Sequence, residues 1–346
     1  MKIEVYSPTI RRKEMDAVLT AMVEDKIGPG DRGRLLIQTA KEHIGFDYAL
    51  ALRSPVTALH LALKALDPEQ KQGVLVSALS PRYYFNVIED LHLTPLFCDV
   101  THDNPCITRE TIEKAIAEKP AGLDIRCIIL HHTLGFMPDI EAIAQLGLPI
   151  IEDISQSYGT VAGEPSAEAL HGEFIILGLE ERDILTSGGG ALLFSMNRKS
   201  GTALRNFASI PYEYSLPDIN AAMATVQFRE LPKSFERRAE ISRVYTQSSM
   251  RTRHKRFIPL KEGVYNNYAF PLVLEAGLKD VVAYARKKEI VVESAFEQTL
   301  AGAGLSRPER CPVSHSLSLR TVLFPLYPRL RSQEAERVSK LIMTLP

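Results

Sequence analysis

Between about residues 48 and 195 the chain keeps one rhythm: a short run of apolar residues, then a stretch with helical spacing. The apolar runs fall at 48–52, 74–76, 95–98, 127–130, 149–151, 174–177 and 191–194, with helical patterns near 56–66, 83–91, 109–118 and 139–146. Strands that are apolar almost throughout are buried on both faces, and helices are the usual connectors between parallel strands. The pattern therefore predicts an α/β fold, a mostly parallel sheet flanked by helices. Ahead of it, Met15, Val18, Leu19 and Met22 follow i, i+3, i+4, i+7 spacing, the stripe of an amphipathic helix over 12–25. A turn at Gly28-Pro29-Gly30 and a helix over 33–43 come next.

From about Asp218 the rhythm changes. Two helical segments, 218–230 and 232–250, are expected, with Pro232 in the first turn of the second, where proline is well tolerated. Strand-like runs at 268–274 and 290–292 then alternate with helices at 277–288 and 332–344. The expected organisation is a large α/β domain over 1–235 and a smaller α+β domain over 236–346. A length of 346 residues suits two domains.

Composition narrows the function classes. Lys+Arg is 41 and Asp+Glu 42, a net charge of −1, which argues against a nucleic-acid footprint or a polybasic membrane surface. No apolar run approaches the roughly 20 residues that a bilayer requires. The first residues lack the apolar stretch of a signal peptide, so a cytoplasmic protein is expected. Cys98, Cys106, Cys127 and Cys311 have no metal-ligand spacing, and no metal is expected. Cys98 and Cys127 lie in apolar runs and read as buried small hydrophobes.

Several segments carry chemical groups. Ser54 before Pro55 is a strong helix start, and capping explains that segment better than phosphate binding, because proline removes one N–H. Asp153 and Gln156 close a buried strand, where α/β sheets bind ligands, although an aspartate there also caps turns. Arg82 and Tyr83, after Pro81, suit a planar or anionic ligand, or simply a helix start with half-buried tyrosines. His131 and His132 follow a strand and are more often satisfied structural groups than metal ligands. Gly188-Gly189-Gly190, after the charged loop Glu180-Glu181-Arg182-Asp183, permits positive φ or close backbone approach.

In order along the chain these segments resemble the DegT/StrS family of sugar aminotransferases, within the fold type I PLP-dependent transferases. Lys26-Ile27-Gly28-Pro29-Gly30 resembles the family's early glycine turn, and 54–63 stands where the family has S-G-T-A-A-L before a helix. Pro95-Leu96-Phe97-Cys98-Asp99 is similar to P-V-F-x-D, and His132-Thr133-Leu134-Gly135 with Asp139 to H-x-Y-G and its acid. The segment 151–156 is similar to I-E-D-x-A-Q, and Gly188-Gly189-Gly190 to G-E-G-G. Cys311-Pro312-Val313 and 323–330 (LFPLYPRL) resemble x-P-x-A and L-P-L-Y-P-x-L.

The resemblance implies a PLP cleft whose functional residues are mostly replaced here. The lysine that forms the imine corresponds, counting back from the triple glycine, to Arg182, and no lysine lies between Lys119 and Lys199. Arginine stays protonated and is no nucleophile. The phosphate-binding serine corresponds to Leu177, the Gly-Thr pair to Pro55-Val56, and the asparagine lent by a neighbouring subunit to Glu213. The aromatic that stacks on the ring falls on Pro81, with Tyr83 or Tyr84 as stand-ins. Asp153, which in the family pairs with the pyridinium nitrogen, remains with Gln156. A buried carboxylate needs a partner. The expectation is that Arg182 supplies it by pairing with Asp153; the alternative is an Arg182 exposed on its loop.

The implied function is a divergent homologue without transaminase activity and without a cofactor, retained as a binding or partner protein in sugar or polysaccharide metabolism. The alternative is a sugar aminotransferase or dehydratase-like enzyme holding PLP or PMP non-covalently. A third class, an enzyme of different chemistry using Arg82, Arg182 or His132 on an acidic or sugar substrate, lacks a complete nucleophile–base–orienter set. Family architecture implies a homodimer. A small anionic or sugar ligand in the cleft and an active paralogue are further candidate partners, whereas nucleic acid and membrane are not.

Overall fold

The seven apolar runs become the seven strands of one sheet. A computed structural model of the chain describes residues 2–46, 48–162, 170–195, 198–206, 210–275 and 277–346. Two helices come first, α1 (Arg12–Val23) and α2 (Asp31–Ile44). The sheet is built from β1 (Tyr48–Leu52), β2 (Gly73–Ser77), β3 (Thr94–Cys98), β4 (Ile125–His131), β5 (Ile150–Asp153), β7 (Phe174–Gly178) and β8 (Ala191–Ser195). The short β6 (Val161–Ala162) leaves it to pair with β9 (Gly263–Val264). Its spatial order is β1-β8-β7-β5-β4-β2-β3, and only β8 runs against the others.

Helices α3 (Pro55–Ala65), α4 (Tyr83–Asp90), α5 (Arg109–Ala117), α6 (Ile140–Ala144) and α7 (Arg198–Asn206) connect the strands. Strands β2, β5, β7 and β8 are buried at every position, which is why their sequences do not alternate. On one face Leu59, Leu63 and Tyr84 pack against Val76, Ile129 and Ile151. On the other, Ile128, Leu130 and Ile150 pack with Ile112 and Ile143, and Leu177, Leu192 and Phe194 with Leu36 and Phe228. Each such side chain contributes about 1.5–3 kcal/mol by leaving water.

The next helix departs from the sequence expectation. Residues 218–250 form not two helices but one, α8 (Asp218–Ser249), which runs through Pro232. An internal proline costs roughly 3 kcal/mol. Burial of both ends offsets that cost: Ala221, Ala224, Phe228 and Leu231 lie in the core beneath the large sheet, whereas Ile241 and Tyr245 lie in a second core. The boundary expected at 235 therefore falls inside one helix. The second core is completed by α9 (Leu278–Lys287), α11 (Ser332–Met343) and a three-stranded antiparallel sheet of β10 (Phe270–Val273), β12 (Thr321–Phe324) and β11 (Glu293–Ser294). Residues 290–292 are not a strand; Ile290 instead bridges to Ile3, so the chain's first residues pack with this second body.

Polar contacts also tie distant segments together. Asp99, at the end of β3, accepts hydrogen bonds from the Val313 and Ser314 N–H groups (3.0 and 2.8 Å) and from the Ser314 hydroxyl (2.6 Å), capping α10 (Pro312–Arg320). Helix α1 packs on α8 through Ala21 and through Glu14, whose Oε1 accepts from Gln227 Nε2 at 2.8 Å. The apolar stripe of α1 does not enter this core. Met15, Leu19 and Met22 are 56%, 58% and 52% exposed, with Ile27 and Leu35 exposed nearby. Among the described residues, no helix is long and apolar enough to cross a membrane.

Candidate functional site

The carboxyl ends of parallel strands are where open α/β sheets bind ligands. Here Asp153 ends β5 beside His131 of β4 and Ile176 of β7. The carboxylate is 2% exposed, and the chain itself fills its acceptor positions. Oδ2 accepts from the Tyr84 hydroxyl at 2.6 Å and, more weakly, from the Tyr83 hydroxyl at 3.4 Å. Oδ1 accepts from the Ser155 N–H at 3.0 Å and from the Ser155 hydroxyl. The Tyr83 and Tyr84 rings meet edge to face, 4.9 Å between centroids, and the Tyr84 ring meets His131 in the same way. Burial, and then the Asp153 charge, raise both phenols well above their ordinary range, so both hydroxyls remain donors.

Arg182 does not pair with Asp153. Its side chain is 58% exposed and its guanidinium grips Glu293 of β11, with Nη1 at 2.7 Å and Nη2 at 3.5 Å from the two carboxylate oxygens. The expectation fails because Tyr84 and Ser155 already neutralise the demand of Asp153 for donors, and the loop carries Arg182 outward. Asp183 is the residue that turns inward instead. Its Oδ2 accepts from the Glu180 N–H at 2.8 Å, and a Cβ on Gly178 would overlap that oxygen, so only glycine permits the fold-back. Burial holds the Asp183 carboxyl well above the usual carboxylate range; Asp153 and Glu180 add to this, and the Glu180 N–H opposes it. Ser155 ties Asp153 to the end of β7: its hydroxyl donates to Asp153 and accepts from the Gly178 N–H at 2.7 Å.

The remaining candidates are placed as follows. Ser54 caps α3, its Oγ accepting from the Thr57 N–H at 3.2 Å; Pro55 is buried at the first helical position and Val56 is exposed. Pro81 bridges to Thr299, and Arg82 is exposed at the head of α4. Leu177 is fully buried and packs in the core, where it offers nothing to a ligand. Gln156 spends its side-chain oxygen on the Leu134 N–H at 2.6 Å, which holds Leu134 at φ 56°. Glu213 is exposed in the turn Tyr212–Tyr214. Gly188, Gly189 and Gly190 all adopt positive φ (73°, 146° and 125°), and a Cβ on Gly190 would strike Leu216.

His132 is not a substrate contact, being 0% exposed. Its Nδ1 lies 2.7 Å from Ser157 Oγ and its Nε2 3.3 Å from Glu152 Oε2, while Glu152 Oε1 accepts from the backbone N–H groups of His171 and Gly172. Ser157, His132 and Glu152 have the connectivity of a nucleophile–base–orienter set, yet all three are sealed in the core and serve as a structural polar network. His131, hydrogen-bonded to Thr133 Oγ1 at 3.0 Å, has its pKa lowered to about 4 by burial and by His132, against the opposing pull of Asp153. All four cysteines are free and buried, and among the described residues no group of three or more His, Cys, Asp and Glu is arranged to hold a metal.

Sequence reasoning missed Tyr84 as the principal donor to Asp153 and Asp183 as the inward-facing residue. The end of β7 at Gly178 was the available signal. The serine and lysine positions of the resemblance were set five residues apart, at Leu177 and Arg182; the same five counted from Gly178 fall on Asp183.

Pyridoxal phosphate does not fit the residues present. The lone pairs of Asp153 that a pyridinium N–H would need are taken by Tyr84 and Ser155; Pro55 has no N–H; and the inward loop residue is an acid.

Comparison with known proteins agrees with the fold. The family model of the DegT/DnrJ/EryC1/StrS aminotransferase family matches residues 8–343. The chain is 24% identical over 376 residues to dTDP-4-dehydro-2,3,6-trideoxy-D-glucose 4-aminotransferase of Saccharopolyspora spinosa, covering 97% of this chain and 95% of that one. It superposes on the aminotransferase TlmJ from Streptoalloteichus hindustanus with a TM-score of 0.86 at 20% identity, over 99% and 98% of the two chains. On the E. coli GDP-4-keto-6-deoxy-D-mannose-3-dehydratase with bound hydrated PLP the TM-score is 0.85 at 13% identity, over 99% of each. With the fold, the strand-end aspartate and this full-length match in agreement, the chain belongs to the DegT/DnrJ/EryC1/StrS aminotransferase family.

Proposed function

We propose that this member keeps the sugar-aminotransferase scaffold as a binding or partner protein of sugar or polysaccharide metabolism and does not transaminate. One observation carries the reading: Asp153 is saturated by the chain's own donors, Tyr84 at 2.6 Å and Ser155 at 3.0 Å. The lack of any lysine between Lys119 and Lys199 supports it, since no other side chain of that segment can form an imine. Its ligand would be a small anionic or sugar molecule, in the cytoplasm, and an active relative is a natural partner.

A second reading has its own support: a sugar aminotransferase or dehydratase-like enzyme that holds PLP or PMP non-covalently. The full-length likeness to a sugar 4-aminotransferase favours it, and so does the fold shared with a dehydratase that has PLP bound. On likeness alone it is the better supported of the two; the site geometry favours the first.

Titration of the purified protein with PLP, followed by borohydride reduction and mass analysis, separates the readings. The first requires no saturable change in the visible spectrum. Saturable binding without a reducible adduct establishes the second, and a trapped lysine adduct overturns both.

The exposed stripe of Met15, Leu19 and Met22 on α1 supports a homodimer, because a contiguous apolar patch on a single chain marks an interaction surface.

A further inference from the structure

A small cavity lies where the loop carrying Arg182 meets the second body. Val5, Tyr6, Arg182, Arg238, Tyr268 and Leu326 line most of it, and its volume is about 50 Å³. Arg238, on α8, is 5% exposed. Its Nη1 donates to the carbonyls of Tyr268 at 2.8 Å, Leu326 at 3.2 Å and Asn267 at 3.3 Å. Among the described residues its Nε and Nη2 have no hydrogen-bond partner, and it forms no ion pair. The guanidinium is thus engaged on one nitrogen, and its remaining donors are not sealed away from solvent but belong to the cavity's lining.

The acids nearby do not pair with Arg238. Glu293 is committed to Arg182. Asp183 turns its Oδ2 to the Glu180 N–H at 2.8 Å and forms no ion pair among the described residues. Glu181 is exposed, and its backbone carbonyl, rather than its carboxylate, accepts from the Tyr6 hydroxyl. The Arg182 guanidinium stands 6.0 Å from the Tyr6 ring centroid, at the cavity's edge. The Tyr268 hydroxyl has no hydrogen-bond partner among the described residues; burial raises its pKa, so it stays a donor at neutral pH.

We propose that this cavity is a site for a small oxyanion, a carboxylate or phosphate group, held by the free Nε–Nη2 edge of Arg238 and by the Tyr268 hydroxyl. The two N–H groups on that edge match the two oxygens of a carboxylate or phosphate. At roughly 10–15 Å³ per water, a volume of about 50 Å³ takes such a group and excludes a nucleotide. The anion would tie the Arg182 loop to α8 and so brace the two bodies. The site adjoins the cleft, since Arg182 at its edge shares a loop with Asp183, and it rests on the reading of a small anionic ligand there; anion binding and PLP binding are tested by separate titrations, so that either can fail alone.

The test is thermal unfolding and calorimetric titration of the full chain with acetate, with inorganic phosphate, and with chloride at matched ionic strength. Acetate or phosphate should raise the melting temperature saturably above the chloride control, and whichever acts identifies the anion class. Arg238→Lys, which keeps the charge and loses the fork, should bind at least tenfold more weakly. Tyr268→Phe should bind several-fold more weakly and decides the matter should the Arg238 variant not fold. Stabilisation no greater than that of chloride, or full-affinity binding by Tyr268→Phe, overturns the proposal.

Discussion

Replacing Tyr84 by phenylalanine removes one oxygen from a fully buried ring and leaves the packing around it unchanged. That oxygen donates to Asp153 at 2.6 Å, the shorter of the two tyrosine contacts with the carboxylate. A hydrogen bond to a charged group contributes about 1.5–3 kcal/mol. Ser155 keeps its two bonds to Oδ1, and among the described residues the Tyr83 hydroxyl, at 3.4 Å, is the remaining donor to Oδ2. The expected loss is therefore about 2 kcal/mol. A change of 1 kcal/mol moves the melting temperature by roughly 2–4 °C in chains of 150–250 residues and by less in longer ones, so a fall of about 4 °C is expected. Urea unfolding at neutral pH, with the slope unchanged, measures the free energy directly. A loss below about 0.5 kcal/mol would refute the reasoning, since it would mean that Asp153 is not held by Tyr84 and is open to another donor. The variant should also gain no PLP absorbance, because Pro55 and Asp183 still oppose the cofactor.

Three further outcomes follow from the same geometry. Arg182→Ala should cost less than about 1 kcal/mol in urea unfolding, because its pair with Glu293 is largely exposed; a loss of several kcal/mol would mean that Arg182 reaches a buried acid after all. His131, buried neutral, has its pKa lowered from 6.5 to about 4, so its contribution is complete above about pH 6.5 and is lost as pH falls toward 4. Two and a half pH units at about 1.36 kcal/mol each come to on the order of 3 kcal/mol, and His131→Asn should flatten the acid limb of the stability curve; an identical acid limb in the variant would exclude His131 as its source. Leu19→Glu, on the exposed stripe, should shift light-scattering mass from twice the chain mass to the chain mass, whereas a monomeric native protein would contradict the dimer.

The strands were legible because burial on both faces leaves no polar positions: β5, β7 and β8 read as uninterrupted apolar runs and are buried throughout. The caps were legible for a local reason, since Ser54 acts on an N–H three residues away. What decides the cleft has no such local signature. Arg182 and Asp183 are adjacent, and loop geometry sends one outward to Glu293 and the other back over Gly178. Tyr84 reaches Asp153 across 69 residues of sequence, a contact that periodicity does not encode. The stripe on α1 was visible but not its destination, because the side that faces α8 carries Glu14 and Ala21. Pro232 misled for an energetic reason: packing at both ends of α8 outweighs the break that local propensity favours.

That helix sets a rule for any recombination of this chain with its relatives. At 1.5 Å per residue its 32 residues extend about 48 Å, and the two cores are built on its opposite halves. A crossover near residue 235 would join two half-helices whose packing was set by different neighbours. Chimeras that exchange α8 whole, together with the N-terminal segment that brings Ile3 to Ile290, should fold. Those cut within the helix should appear as insoluble chains, with neither half recoverable as a stable fragment.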